Sequence, residues 1–180
     1  MSDSQFDLIE GSFDLALRNI EISDSSLMGR KLADDRRVLC ASPTYINEYG
    51  KPEIVEDLKN HQIISFRDNS PKTLINQSGE KIDIPSNNDK RNVIIDDGLS
   101  LKVTTQAGAG ISINSLWSVA SALEDGSLIR VLPEYVLADQ TALWLIYPKS
   151  NVLTAKVRVL IDFLIDEIKK PLKRLNHKFA

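Results

Sequence analysis

The stretch Asn92 to Asn114 reads NVIIDDGLSLKVTTQAGAGISIN and decides the fold class. Its β-branched run at 93–95 predicts a short strand. Apolar residues then recur at Leu99, Val103 and Ala107, four apart, after an aspartate that can cap a helix. We therefore expect a strand followed by a helix that buries these three side chains.

The same alternation continues to Leu132. Gly108 and Gly110 can end the first helix, and Ile111 to Asn114 then alternates apolar and polar residues like a half-buried strand. Ser115 can cap a second helix whose apolar side is Leu116, Val119, Ala120 and Leu123, and a further strand is predicted at 128–132. Strands that alternate with single helices imply parallel pairing and an α/β fold.

Polar residues follow the predicted strands at Asp96, Asp97, Ser112, Asn114 and Ser115. In open α/β sheets, ligands sit beyond the carboxyl ends of the strands, where helix N-termini attract anions. The pattern thus indicates an anion site at this edge. The alternative is that both aspartates and the serine only cap helices.

Alternation and apolar runs in the rest of the chain predict strands at 13–18, 38–41, 61–66 and 142–147. Short helices are predicted at 44–49 and 54–58, and hairpin or loop structure at 68–91. The clearest helix follows Thr154, with an apolar stripe at Val157, Leu160, Ile161, Leu164, Ile165 and Ile168. Pro171 is expected to help stop it.

Composition narrows the class of protein. A length of 180 residues with 42% hydrophobic content suits a globular protein, and a net charge of −3 with a pI near 5.4 argues against strong nonspecific binding to nucleic acid. No apolar run approaches the roughly 20 residues of a membrane span, and the first residues do not resemble a signal peptide. We expect a cytoplasmic protein without membrane contact.

The sequence offers no signature of catalysis. Its two histidines, His61 and His177, are isolated, so no metal site is predicted, and no Walker sequence, dinucleotide fingerprint or nucleophile elbow is complete. The one cysteine, Cys40, lies in an apolar run and is expected to be a buried structural thiol. We predict no catalytic residue, no metal and no cofactor, and therefore not an enzyme.

Several phrases in order along the chain resemble the effector-binding domain of LysR-type transcriptional regulators. They are Phe13-Asp-Leu-Ala-Leu-Arg18, Asp24-Ser-Ser-Leu27, Arg30-Lys-Leu32, Arg37-Val-Leu-Cys-Ala-Ser-Pro-Thr-Tyr45, Gly50-Lys-Pro52, Glu56-Asp-Leu58 with His61, Gly108-Ala-Gly-Ile111, Gly126-Ser-Leu-Ile-Arg-Val-Leu132, and Tyr147-Pro148 with Lys156-Val-Arg158 and Phe163-Leu164.

The resemblance implies a two-lobed α/β fold like that of type II periplasmic binding proteins, with a small molecule in the cleft and two crossing hinge strands. The crossing strands would be 37–42 and 143–147. Lobe I would hold 1–39 and 146–180, and lobe II 40–145. The family's winged helix-turn-helix is absent, as are the first strand and helix of lobe I, so we expect a truncated chain with an incomplete lobe I.

The resemblance also implies a set of effector-binding residues, namely Arg18, Asn19, Ser42, Pro43, Ser65, Phe66, Ile111, Ser112, Ile113 and Asn114. The expected partners are a small carboxylate or amino acid and a second copy of the chain, with DNA bound only through the missing N-terminal domain. Arg18 is the residue of this set whose chemistry points most directly to an effector. The alternative is that its side chain only forms a surface salt bridge.

We therefore predict the ligand-sensing and dimerising part of a LysR-type regulator. Three alternatives remain open at this point. One is a solute-binding protein of similar fold, which a secretory leader would support. Another is an enzyme on the same two-lobed fold, which would need turnover that disappears on mutating a cleft residue. The last is an oligomerisation module that binds no ligand.

Overall fold

The computed structural model describes residues 14–20, 27–66, 71–85, 93–138, 141–148 and 154–178. The elements in chain order are β1 (Ala16–Ile20), β2 (Leu27–Asp35), β3 (Arg37–Ala41), α1 (Pro43–Tyr49), a 3₁₀ helix (Val55–Asn60), β4 (Ile63–Phe66), β5 (Thr73–Asn76), β6 (Lys81–Asp83), β7 (Val93–Ile95), α2 (Gly98–Gln106), β8 (Ile111–Ser115), α3 (Leu116–Glu124), β9 (Ile129–Arg130), β10 (Tyr135–Leu137), β11 (Thr141–Pro148) and α4 (Ala155–Lys178).

The chain forms two compact units. We call Arg36–Asp139 the central unit, and Ser4–Asp35 with Gln140–Ala180 the terminal unit. The boundaries lie a few residues before the predicted ones at 39/40 and 145/146. The reason is strand pairing: β3 pairs with β8 and β9 inside the central unit, and β11 pairs with β1 and β2 inside the terminal unit. The lobe assignment and the crossing of strands 37–42 and 143–147 stay predictions.

The terminal unit is a three-stranded antiparallel sheet in the order β1-β11-β2, with α4 packed on it. Its core contains Leu145 of β11 and Ile161 of α4, which are almost completely buried. The predicted helix is confirmed, with two corrections. Leu160 is 45% exposed, and the helix continues through Pro171 to Lys178. A proline inside a helix can kink or weaken it without ending it.

The central unit contains a five-stranded sheet in the order β7-β4-β8-β3-β9. Strands β7, β4 and β8 are parallel, as the alternation of strands and helices predicted, whereas β3 runs antiparallel to both of its neighbours. A second, antiparallel sheet has the order β10-β5-β6, and its β5–β6 hairpin lies in the segment predicted as hairpin or loop.

One face of the five-stranded sheet carries the main apolar core. Leu39, Ala41 and Ile111 project from it into a cluster with side chains of α1, the 3₁₀ helix and β5. We call this side the apolar face. Helices α2 and α3 connect strands in the same direction along the sheet, and the usual right-handed crossover places two such helices on one side of it. Contacts of α2 with β8 place that side opposite the apolar face.

Helix α2 presents a different side to the sheet than predicted. Leu99 is 68% exposed and Val103 is 54% exposed, whereas Leu101 and Thr105 are buried. Both sets are spaced four apart, so helical periodicity permits either orientation. The strand below presents the hydroxyl of Ser112, which bonds to the hydroxyl of Thr105, and this match orients the helix.

Candidate functional site

Three strand ends and two helix starts meet at one edge of the central sheet. β4 ends at Ser65 and Phe66, with Phe66 beside Ile95 of β7, and β8 ends at Asn114 and Ser115. Helices α2 and α3 begin directly after β7 and β8. This edge, the carboxyl edge, therefore exposes two helix N-termini, whose N–H groups and dipoles favour an anion.

Asp97 acts as the N-cap of α2. Its Oδ1 accepts the backbone N–H of Ser100 at 2.8 Å, and hydrogen bonds from Ser100 lower the pKa of the Asp97 carboxyl. The capping alternative is thus confirmed for this aspartate. The carboxylate therefore satisfies part of this helix end itself.

Two arginines that the sequence analysis did not single out stand at the same edge. Because β3 runs antiparallel to β8, its first residue Arg37 lies opposite Ser115. Arg36 accepts the N–H of Leu116, the first residue of α3, at 2.8 Å through its carbonyl oxygen. The Arg36–Arg37 pair was visible in the sequence, but only the strand direction places it beside the start of α3.

A third arginine adds positive charge nearby. Burial, together with the charge of Arg36, lowers the pKa of the Arg130 guanidinium, which Glu134 partly offsets. The guanidinium also donates to the carbonyl oxygen of Pro133. The carboxyl edge therefore combines helix dipoles with the neighbouring positive charges of Arg36 and Arg130.

Ser112 and Asn114, both predicted effector contacts, are engaged in a buried network on the helix-covered side of the sheet. Ser112 is completely buried and Asn114 is 3% exposed. The Asn114 amide donates to the Ser112 hydroxyl at 2.6 Å and to the Cys40 sulfur at 3.3 Å, and Thr105 meets Ser112 at 2.6 Å. This polar strand face, expected to be half exposed, is covered by α2. We call these four residues the polar network.

Cys40 behaves as the predicted structural thiol. It is fully buried, and burial raises its pKa to about 11, against the lowering effect of hydrogen bonds with Asn114 and Ser112. A thiol with that pKa is almost entirely protonated at neutral pH, so it is a poor nucleophile.

Ile111 and Ile113, the other predicted contacts on β8, face the opposite way. Ile111 is fully buried in the core cluster, and Ile113 packs against it. Both belong to the apolar face.

Ser42 and Pro43 lie at the other end of the sheet. They follow the carboxyl end of β3, which is antiparallel to β8, so they stand near Gly108 before β8 begins. Ser42 is buried, and its hydroxyl accepts the N–H of Tyr45 at 3.2 Å as the N-cap of α1. The structure thus separates these two residues from Ser65, Phe66 and Asn114.

Arg18 and Asn19 belong to β1 of the terminal unit, with Arg18 opposite Trp144. The Asn19 amide donates to the carboxylate of Asp35, and the Thr141 hydroxyl donates to the same oxygen at 3.4 Å. Asp35 is 6% exposed and ends β2. This polar cluster on the terminal unit is a second place where the sequence analysis missed a partner, since Asp35 and Thr141 are distant in the chain.

Within the described ranges, no group of three His, Cys, Asp or Glu side chains is arranged to hold a metal ion. Among the helices of those same ranges, none is both long and apolar enough to span a membrane.

Comparison with known proteins identifies the family. Residues 1–169 match the model of the LysR substrate binding domain. The chain is 31% identical over 169 residues to the HTH-type transcriptional activator TtdR of Escherichia coli K12, covering 90% of this chain and 52% of that protein. The chain therefore spans about half the length of the curated relatives that it matches.

Solved structures agree. The regulatory domain of CrgA, a LysR-type transcriptional regulator from Neisseria meningitidis, superposes with a TM-score of 0.79 and 28% identity, covering 93% of this chain and 81% of that one. The regulatory domain of AphB in Vibrio vulnificus gives a TM-score of 0.68 and 29% identity, covering 91% and 78%. These matches confirm the predicted α/β, periplasmic-binding-protein-like fold class. Since the family model covers nearly the whole chain, the protein belongs to the LysR substrate-binding domain family.

Proposed function

We propose that this chain is the effector-sensing part of a LysR-type transcriptional regulator, and that the carboxyl edge of the central sheet takes part in holding the effector. The observation that carries the proposal is that the backbone of Arg36 and Arg37 lies beside the start of α3, at the edge where β4 and β8 end. Backbone N–H groups and guanidinium groups are complementary to a carboxylate, which arginine can bind through two parallel hydrogen bonds.

The effector class that this chemistry supports is a small carboxylate or an amino acid. Ser65 and Phe66, at the end of β4, supply a hydroxyl and an aromatic ring at the same edge. Of the predicted contacts, these two stay in our proposed site, and Ser112 and Asn114 take a supporting role. Arg18 and Asn19 remain proposed contacts on the terminal unit.

The relatives named above are transcriptional regulators, and we propose no catalysis for this chain. The same relatives favour a regulator in the cytoplasm over a solute-binding protein. In a full-length regulator like these relatives, we propose that DNA contact belongs to the part that this chain does not match.

Exposed apolar side chains support a homo-oligomer. Leu99 and Val103 project from α2, and Val159 and Phe163 project from α4, all more than half exposed. Apolar patches of this kind are typical of protein interfaces. We propose that the chain self-associates, which is compatible with effector sensing.

A thermal-shift screen tests the sensing role. Purified chain is melted with single dicarboxylates, monocarboxylates and amino acids, and a ligand at about 100 times its dissociation constant should add roughly 2.7 kcal/mol to the free energy of unfolding. The proposal expects one chemical family to raise the melting temperature.

Charge variants then locate the site. Arg36→Gln and Arg37→Gln should weaken that ligand by about 10-fold or more, since a hydrogen bond to a charged group contributes roughly 1.5–3 kcal/mol. Arg158→Gln on α4 makes the same charge change at an exposed position and serves as the control. An unchanged dissociation constant in both edge variants, or no shift by any compound, would contradict the proposal.

A further inference from the structure

The polar network has a single consistent hydrogen-bond direction. The Thr105 hydroxyl donates to the Leu101 carbonyl oxygen at 2.6 Å, so its oxygen accepts from Ser112. Ser112 then has no hydrogen left to give, and it accepts from the Asn114 amide. The chain of donors therefore runs from Asn114 at the end of β8, through Ser112, to the backbone of α2.

This direction matters because every link is buried. Thr105 and Ser112 are completely buried, so water cannot replace a lost partner at either hydroxyl. Removing one hydroxyl leaves its neighbour without a donor or an acceptor, and the cost is transmitted along the network. Asn114 is directly followed by Ser115, which faces Arg37 and precedes the first turn of α3.

We propose that Thr105, Ser112 and Asn114 are positioning residues that couple the carboxyl edge of β8 to helix α2. The inference rests on the proposed function in one respect: if the edge holds an effector, binding there shifts α2 through this network. The exposed apolar residues Leu99 and Val103 lie on that same helix, so a shift of α2 would alter the surface offered to another copy.

Backbone hydrogen exchange of the full chain, without ligand, tests the coupling. Thr105→Val keeps the shape of the side chain and removes its hydroxyl. We expect amides at 113–118, at the end of β8 and the start of α3, to exchange about 10-fold faster than in the unchanged chain, because a buried donor loses its acceptor and local opening becomes easier. Amides of α4 should keep their rates.

Three variants make the result specific. Thr104→Val is the matched control, with the same substitution one residue earlier at a partly exposed position, and should leave 113–118 unchanged. Thr105→Ser retains the hydroxyl and should restore the original rates. Ser112→Ala interrupts the same chain from the strand side and should accelerate exchange in α2, at 98–107, which also provides a test if Thr105→Val does not fold.

Acceleration confined to α2 in Thr105→Val, or equal acceleration in both units, would overturn the coupling. Because no ligand is present, that result would leave the proposed effector site untouched. A failed ligand screen would, in turn, leave the exchange result standing.

Discussion

Both faces of the five-stranded sheet are buried, but one is lined by hydrocarbon side chains and the other by hydrogen-bonded polar side chains. On the apolar face, Leu39 and Ile111 enter a cluster of hydrocarbon side chains. On the other face, Cys40 and Ser112, the register partners on these two strands, lie in the polar network. Successive residues of a strand point to opposite faces, so one strand feeds both environments. The comparison shows that a polar residue in an alternating strand can be as deeply buried as its apolar neighbours, provided that its hydrogen bonds are satisfied.

The largest effect is expected on the apolar face. Leu39 is 1% exposed, and Leu39→Ala should reduce the free energy of unfolding by about 2–5 kcal/mol, because it removes buried methyl groups and leaves a cavity. Urea denaturation measures the loss as a lower midpoint with an unchanged slope. Leu39→Met keeps most of the volume and should cost less than about 1.5 kcal/mol. If Leu39→Ala reduced the free energy of unfolding no more than Leu39→Met, the cavity would carry no penalty, and the cluster would not be closely packed.

An intermediate effect is expected on the polar side. Asn114→Ala removes the donor to Ser112 and Cys40 and should cost about 1–3 kcal/mol, since buried groups lose their partner. The same denaturation experiment measures it. Asn47→Ala, at an exposed position of α1, should stay within about 0.5 kcal/mol. If Asn114→Ala cost as little as that control, the hydrogen bonds of Asn114 would not be needed for stability, and the prediction would be wrong.

The smallest effect concerns a polar pair next to the apolar cluster. Tyr45 Oη accepts the N–H of Gln62 at 2.9 Å and lies 3.2 Å from Nδ1 of His61. The Tyr45 hydroxyl can therefore donate to a neutral imidazole. Burial lowers the pKa of His61 below its ordinary value of about 6.5, although the nearby Asp57 carboxylate opposes the shift.

This shift predicts a pH dependence. Well above pH 6.5 the imidazole ring is neutral in both the folded and the unfolded chain, so its titration does not reduce the free energy of unfolding. As the pH falls below that value, the unfolded chain takes up the proton first, so the free energy of unfolding decreases until the pH passes the folded-state pKa. Comparing urea midpoints of the unchanged chain and His61→Gln between pH 7.5 and about 5 isolates this part, since other titrating groups are shared. A difference that does not vary with pH would refute it.

Local signals along the chain predicted most elements correctly. The strand at Val38 and the helix ended by Gly50 follow from short patterns, and Gly50 adopts the positive φ of 84° that such a helix end requires. The cap at Asp97 follows from the same kind of signal. These features depend on neighbours within a few residues, so a single sequence contains the information.

Long-range features were predicted less well. Periodicity favoured Leu99 and Val103 as the buried side of α2, because it counts apolar residues and does not see that the strand below offers a hydroxyl to Thr105. Gly110 is a second example. Its position in the sequence predicts a helix end, but in the structure a Cβ there would lie 2.5 Å from the carbonyl oxygen of Gln62, so glycine is needed for a long-range close approach. The candidate site was divided for a related reason, since strand direction places Ser42 and Asn114 at opposite edges.

The sequence by itself determined the α/β class, the order of most elements and the family, because caps, glycines, periodicity and phrase order are properties of the chain read in one direction. The tertiary structure alone decided which face of α2 is buried, which polar residues of β8 are structural, and that Arg36 and Arg37 stand beside the start of α3. These outcomes depend on antiparallel register and on hydrogen bonds between residues far apart in the chain, whose free energy arises only when the elements are packed together.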